Sequence, residues 1–421
     1  MTPHQPHDLP PLGSPSFTPL LLRHVLSHPA LAGWSINPSL FSVLLLAMIV
    51  RKGGVVVDTT KRDIDDLAQV IHQMIGMIFG LRVHHISFDE YTDPEEVIHR
   101  LCHGRAHNPF ISGSTQQQHD QRTDPDGMEV LIMTGLEDAS SPVKVKIGDM
   151  MTKKRIEVPS GDDYGTMQRN GDGELSDGKM ERKFDPLVVW IREEGREVPS
   201  WMIDQFMLGL HIHSDDIELP PSDFGTITGQ GAIIPSTYIS QLTSLLPYVH
   251  IHAPLRIHLS NLLSAVSSHP GLRTNMTGKA TRGIREYIKA HRLLSGSFEI
   301  PYSFLHPYSS DETDLSARGK GLGGGIGGVD TWAELAGEEP SLSKYSSETE
   351  GMVDEPYCTP GNVEGVWKVF VGHRCRCREE REEVMWLIKG SAVGGDPEGR
   401  LVKGNKRKGV DKTLDEILRT V

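Results

Sequence analysis

One pattern restricts the fold more than any other: short apolar runs alternate with segments of helical period. GGVVVDT (residues 53–59) is the first run, β-branched and apolar on both faces. From residue 63 to 79 the apolar positions Ile64, Leu67, Ile71, Ile75 and Ile78 recur at helix spacing, and Gly80 supplies a stop. LRVHHISF (81–88) reads as a second strand, and DPEEVIHRLC (93–102) as a helix opened by Pro94. MEVLIMT (128–134) is a third strand, followed by a helix over 142–154 and a short extended piece, RIEV. DPLVVWI (185–191) is a fourth strand. PSWMIDQFML (199–208) reads as a short helix, and LGLHIHS (208–214) as a last strand. Strands apolar on both faces belong to parallel sheets, and their alternation with helices predicts an α/β core.

Two helical segments precede this core, one starting near Pro19 and one over 40–51. The apolar run within the second is eleven residues, and a membrane span needs about 20. Beyond Pro235 the strand signal stops. Helices are expected over 237–246, 254–267 and 277–294, then along TPGNVEGVWKVFVGHRCRCR and EEREEVMWLIKG. The polar stretches divide the chain into a disordered N-terminus (1–18), a core (19–235) with insertions at 104–127 and 159–183, a helical lid (236–395) with a disordered insert at 307–352, and a polar tail (396–421). Composition agrees: 37% hydrophobic residues with 43 glycines and 27 prolines describe a core interrupted by disordered segments. The formal net charge of −13 argues against nonspecific binding to nucleic acid or an anionic membrane, and no direct nucleic-acid signature is present. The four cysteines, Cys102, Cys358, Cys375 and Cys377, contain no C-x-x-C pair, which fits a reducing compartment rather than a zinc site. No signal peptide or membrane span is read, so an intracellular protein, cytoplasmic or nuclear, is expected.

Several features invite a chemical reading. G-x-G-x-x-G occurs at Gly319, Gly321 and Gly324, but no strand precedes it and the flanks are acidic and Ser-rich; it reads as a linker. His211 and His213, and again His250 and His252, alternate at i,i+2 without a third ligand at metal spacing, so they read as polar residues on half-exposed strands. The basic run KGNKRKGVDK reads as solvated tail. A phosphate loop belongs after the first strand, and G-x-x-x-x-G-K-[ST] is absent there. Asp58, Thr59, Thr60, Lys61 and Arg62 follow VVV instead, with no glycine, and Asp58 and Asp63 would repel a triphosphate. Lys61 remains able to touch an anion. The third strand ends in Thr134–Gly135 where an ATPase carries Asp-Glu, while Glu137 and Asp138 stand slightly later as candidate substitutes.

PSWMIDQFMLGLHI resembles the L-L-D-R-F element of the chelatase/MoxR group of AAA+ ATPases, through Met202, Ile203, Asp204 and Phe206, with Gln205 in place of the basic residue. YVHIHAPLRIHLSNLLSAVSSHP is similar to the first lid helices of magnesium-chelatase ATPase subunits. Thr277–Gly278–Lys279–Ala280 stand at their S-P-R-A motif, which puts Lys279 at the sensor-2 position. YCTPGNVEGVWKVFVGHR is similar to the closing lid helix through Tyr357, Thr359, Pro360, Val363, His373 and Arg374. The run of motifs covers roughly residues 20–380. It resembles fungal magnesium-chelatase-like proteins related to the yeast maintenance-of-telomere-capping proteins, with degenerate Walker motifs. That resemblance implies an AAA+-like core and an all-α lid. In an intact member it implies ATP and Mg²⁺ as cofactors, a ring of copies or protein partners, and magnesium-chelatase chemistry: ATP-driven insertion of Mg²⁺ into a porphyrin, a ligase forming a nitrogen–metal bond. The candidate nucleotide contacts are Lys61, Glu137, Asp138 and Lys279. The alternative is a catalytically inactive AAA+-fold scaffold, with a role in genome or telomere maintenance.

Overall fold

The computed structural model describes residues 9–103, 128–158, 180–196, 198–220, 232–274, 276–300, 356–378 and 406–421. The glycine run at 319–328, the expected insertions at 104–127 and 307–352, most of that at 159–183, and the helix expected along EEREEVMWLIKG lie outside the described residues.

The N-terminal half is built from α1 (Phe17–Ser27), α2 (Pro38–Val50), β1 (Gly54–Thr59), α3 (Ile64–Phe79), β2 (Val83–Ser87), α4 (Pro94–His103), β3 (Val130–Thr134), α5 (Ser141–Lys153), β4 (Arg155–Val158), β5 (Met180–Lys183), β6 (Leu187–Glu193), α6 (Ser200–Ile203) and β7 (Phe206–His211). Five strands form one parallel sheet in the order β2-β3-β6-β1-β7. Alternation of side chains divides it into two faces. Val55, Val57, Ile132, Val189 and Ile191 pack with α2 and α3, whereas Val56, Leu131, Met133 and Trp190 pack with α4, α5 and α6. The expected α/β architecture is therefore present: parallel strands between helical layers, with a helical portion following.

Ten of the 13 residues of α2 are buried, which is why its sequence shows no polar face; it lies between the sheet and later helices. Helix α3 buries the stripe Leu67, Ile71, Ile75 and Ile78 and ends at Gly80 with φ 63°, a left-handed conformation that a glycine adopts without strain. The later elements are α7 (Ser236–Leu245), α8 (Ala253–Ser268), β8 (Leu272–Thr274), α9 (Gly278–Ser295), α10 (Pro360–Val371), β9 (Cys375–Cys377) and α11 (Lys406–Thr420). They share one continuous apolar cluster with α1–α3 and the first sheet face. Among the described residues, no helix is long and apolar enough to cross a membrane.

The structure corrects five expectations. Residues 9–16 lie on the fold rather than in a disordered terminus: Leu9 and Leu12 pack against the core and Phe17 is fully buried. The helix read over 199–208 stops at Ile203, because the chain must straighten where Gln205 accepts a hydrogen bond from Gly54 and Phe206 enters the sheet. Within the supposed insertion and tail, residues 180–183 pair with β4 as β5, and 406–420 form α11, which buries Val410, Leu414 and Ile417. The helix expected through GHRCRCR ends at Val371, followed by a turn and β9, which pairs with β8.

Candidate functional site

Open parallel sheets bind ligands outside the carboxyl ends of strands, where neighbouring connections leave in opposite directions. Here that point lies between β1 and β6. The chain leaves β1 toward β2 at one edge and leaves β6 toward β7 at the other. The register pairs Asp58 with Arg192 and Thr59 with Glu193 at these ends.

The sheet's alternation puts Asp58 and Arg192 on one face, two residues beyond Val56 and Trp190 respectively. Arg192 Nε donates to Asp58 Oδ1 at 2.5 Å, and both side chains are buried. The Arg192 guanidinium also lies 5.3 Å from the Trp190 ring centroid. On the next strand His211 Nε2 stands 2.9 Å from Glu194 Oε2, and its ring meets that of His213 edge-on at 4.3 Å. The β1–α3 connection spans four residues. Thr60 Oγ1 and Ser214 Oγ both donate to Asp63 Oδ2 at 2.5 Å, and these two bonds, Ser214's foremost, hold the Asp63 carboxyl below its ordinary range.

The four candidate nucleotide contacts do not converge. Lys61 is exposed in the turn after β1. Glu137 is buried after β3, where Oε1 accepts from the Glu193 backbone N–H at 2.9 Å and Oε2 from Trp190 Nε1 at 3.2 Å. Asp138 faces Arg196 at 3.6 Å. These three lie at the carboxyl edge. Lys279 lies at the opposite edge, with Nζ 2.9 Å from Gln205 Oε1, beside the start of β1. A strand of six residues separates the two edges by roughly 20 Å.

A Mg²⁺–triphosphate needs converging backbone N–H groups, a cation at the β/γ-phosphates and a free carboxylate or hydroxyl for the metal. The short, glycine-free connection offers no such cradle. Asp58 is committed to Arg192, and both Glu137 oxygens are committed to donors. The residues present do not fit the group.

A second constellation was half-visible in the sequence. The D-x-F element, the T-G-K-A turn and the terminal H-R meet at the amino edge. Thr277 Oγ1 donates to Asp204 Oδ1 at 2.5 Å while capping α9. Arg374 Nη1 donates to the same oxygen at 3.1 Å, and its Nη2 to the Phe206 carbonyl at 2.7 Å. His373 Nε2 stands 3.0 Å from that carbonyl, which only accepts, so the imidazole carries its proton there. The Arg374 side chain is fully buried and lies 5.5 Å from the Phe370 ring centroid. Burial, and then the Arg374 charge, push the His373 pKa well down and keep the ring neutral. His373 and Arg374 thus both reach the core strand.

No protein-family model matches the chain, and no curated protein matches it. Among solved structures, a candidate ATPase of Cytophaga hutchinsonii is similar over 91% of this chain and 89% of that one, at 12% identity and a TM-score of 0.47. That likeness carries no activity across. Sequence reasoning noticed Asp58 as a repulsive charge but missed Arg192, whose partnership depends on a strand order that sequence does not display.

Proposed function

We propose that this chain is a nucleotide-independent interaction scaffold on an AAA+-like core, of the magnesium-chelatase-like group that its motifs resemble. The observation that carries the reading is the buried Asp58–Arg192 pair at the switch point of the sheet. A buried pair of this kind resists opening, because separating it leaves an uncompensated charge in a poorly polar place. The Asp204–Arg374 junction adds support of a different kind, since side chains of this chain themselves join the helical portion to the start of β7.

Melting the full chain with and without millimolar MgATP tests the reading. A ligand that binds only the native state raises the melting temperature. No rise, and no phosphate release above background, is expected. A rise that disappears in Lys61→Ala, accompanied by ATP hydrolysis, would overturn the scaffold and favour an ATPase. Insertion of Mg²⁺ into a porphyrin would then become the reading to pursue.

A further inference from the structure

A cavity lies at the edge opposite the ligand-binding edge of an α/β sheet. It offers about 850 Å³ between α2, α9, α5 and the paired strands β4 and β5, a volume of the size that holds a drug-sized ligand. Its floor is apolar and rich in methionine, with Met48, Met128, Met151 and Met207 beside Phe184 and Leu187. Methionine is unbranched and adapts to varied shapes.

The rim is cationic. Arg51, Lys52, Lys279 and Arg282 stand on the wall made by α2 and α9; Lys154 and Lys183 stand on the wall made by α5 and β5. Three carboxylates face them, and each already has a partner: Glu286 lies 4.0 Å from Lys52, Asp185 lies 2.8 Å from Lys154, and Glu129 lies 3.9 Å from Arg82. Arg51, Lys183 and Arg282 have no carboxylate at ion-pair distance among the described residues. The chain as a whole carries a net charge of −13, so this concentration of positive charge is local. The cations also disfavour one another. Burial, with Arg374 and Lys154 nearby, holds the Lys279 ammonium below its ordinary pKa, against the pull of Asp204. An anion between the two walls would relieve that repulsion.

We propose that this groove binds an amphipathic dianion: an apolar, drug-sized body lying on the methionine floor, with two sulfonate, carboxylate or phosphate groups meeting the cations of the two walls. The site is distinct from the carboxyl edge and does not depend on whether that edge is closed.

The probe is bis-ANS, a binaphthyl disulfonate, titrated into the folded full chain and followed by fluorescence. Saturable one-site binding is expected. In Lys183→Gln/Arg282→Gln, which removes one cation from each wall, affinity should fall at least tenfold. The uncharged N-phenylnaphthylamine should bind both proteins alike. Met151→Glu, which puts a negative charge on the floor, should weaken the disulfonate in the same direction, and melting curves confirm that each variant is folded. Unsaturable uptake by the parent, or an affinity in the double variant within twofold of the parent, would overturn the proposal.

Discussion

Replacing Arg374 with methionine should cost about 3–5 kcal/mol of stability. The side chain is fully buried and makes two charge-assisted hydrogen bonds, to Asp204 Oδ1 at 3.1 Å and to the Phe206 carbonyl at 2.7 Å. Bonds of this kind each contribute about 1.5–3 kcal/mol. Methionine keeps much of the packing against Phe370 but leaves the Asp204 carboxylate with Thr277 as its remaining side-chain donor among the described residues. The Phe206 carbonyl retains His373, so the loss falls mainly on Asp204. Arg374→Lys keeps the charge and loses the fork, and should cost about half as much. The diagnostic quantity is the coupling between the two partners. Asp204→Asn combined with Arg374→Met should be less destabilising than the two single costs added, by about 1–3 kcal/mol. Urea unfolding followed by tryptophan fluorescence measures all four proteins. A cost below about 1 kcal/mol for Arg374→Met, or additivity within about 0.5 kcal/mol, would refute the reasoning that the junction is a coupled latch.

Other perturbations follow from the same contacts. A Cβ at Gly209 would sit 2.3 Å from the His373 Cβ, so Gly209→Ala should destabilise by about 1–3 kcal/mol, or more, in the same urea assay. Leu414→Ala should cost about 2–5 kcal/mol if α11 is docked as described, whereas a loose tail would make it neutral. His72, His84, His85, His291 and His373 all have pKa values lowered by burial, His85 to about 4, with His72 and His84 adding to the effect there and Asp65 opposing it. The unfolded chain therefore binds more protons below about pH 6.5, and stability falls as pH drops through that value toward the folded pKa values. For His85 alone the fall from 6.5 to about 4 corresponds to about 3 kcal/mol once pH is below 4. Urea midpoints at pH 7.5 and 5.5 should show the decline, and equal midpoints would contradict it.

Much of the sheet was legible because VVV, VLIMT and LVVWI are apolar on both faces, and only a strand buried between helical layers needs that. The boundary between α6 and β7 was not, because MIDQFML satisfies helix and strand periods over the same few residues; the deciding contact, Gly54 to Gln205, spans about 150 positions. Helix α11 was hidden by its charge, although Val410, Leu414 and Ile417 recur at helix spacing. The site was legible only as an absence. The missing glycines and lysine of a phosphate loop could be read directly, but what stands in their place could not. Asp58 and Arg192 are 134 residues apart and meet only because β6 inserts beside β1. The motifs at Asp204, Thr277 and Arg374 could be recognised singly, but their convergence at the amino edge required the fold.

Isothermal titration of MgATP into the full chain tests most directly whether the carboxyl edge is closed by its own side chains. No saturable heat is expected up to millimolar nucleotide. Stoichiometric binding that is abolished by Lys61→Ala and unaffected by Lys183→Gln/Arg282→Gln would put a nucleotide beside Asp58 and contradict the closed edge.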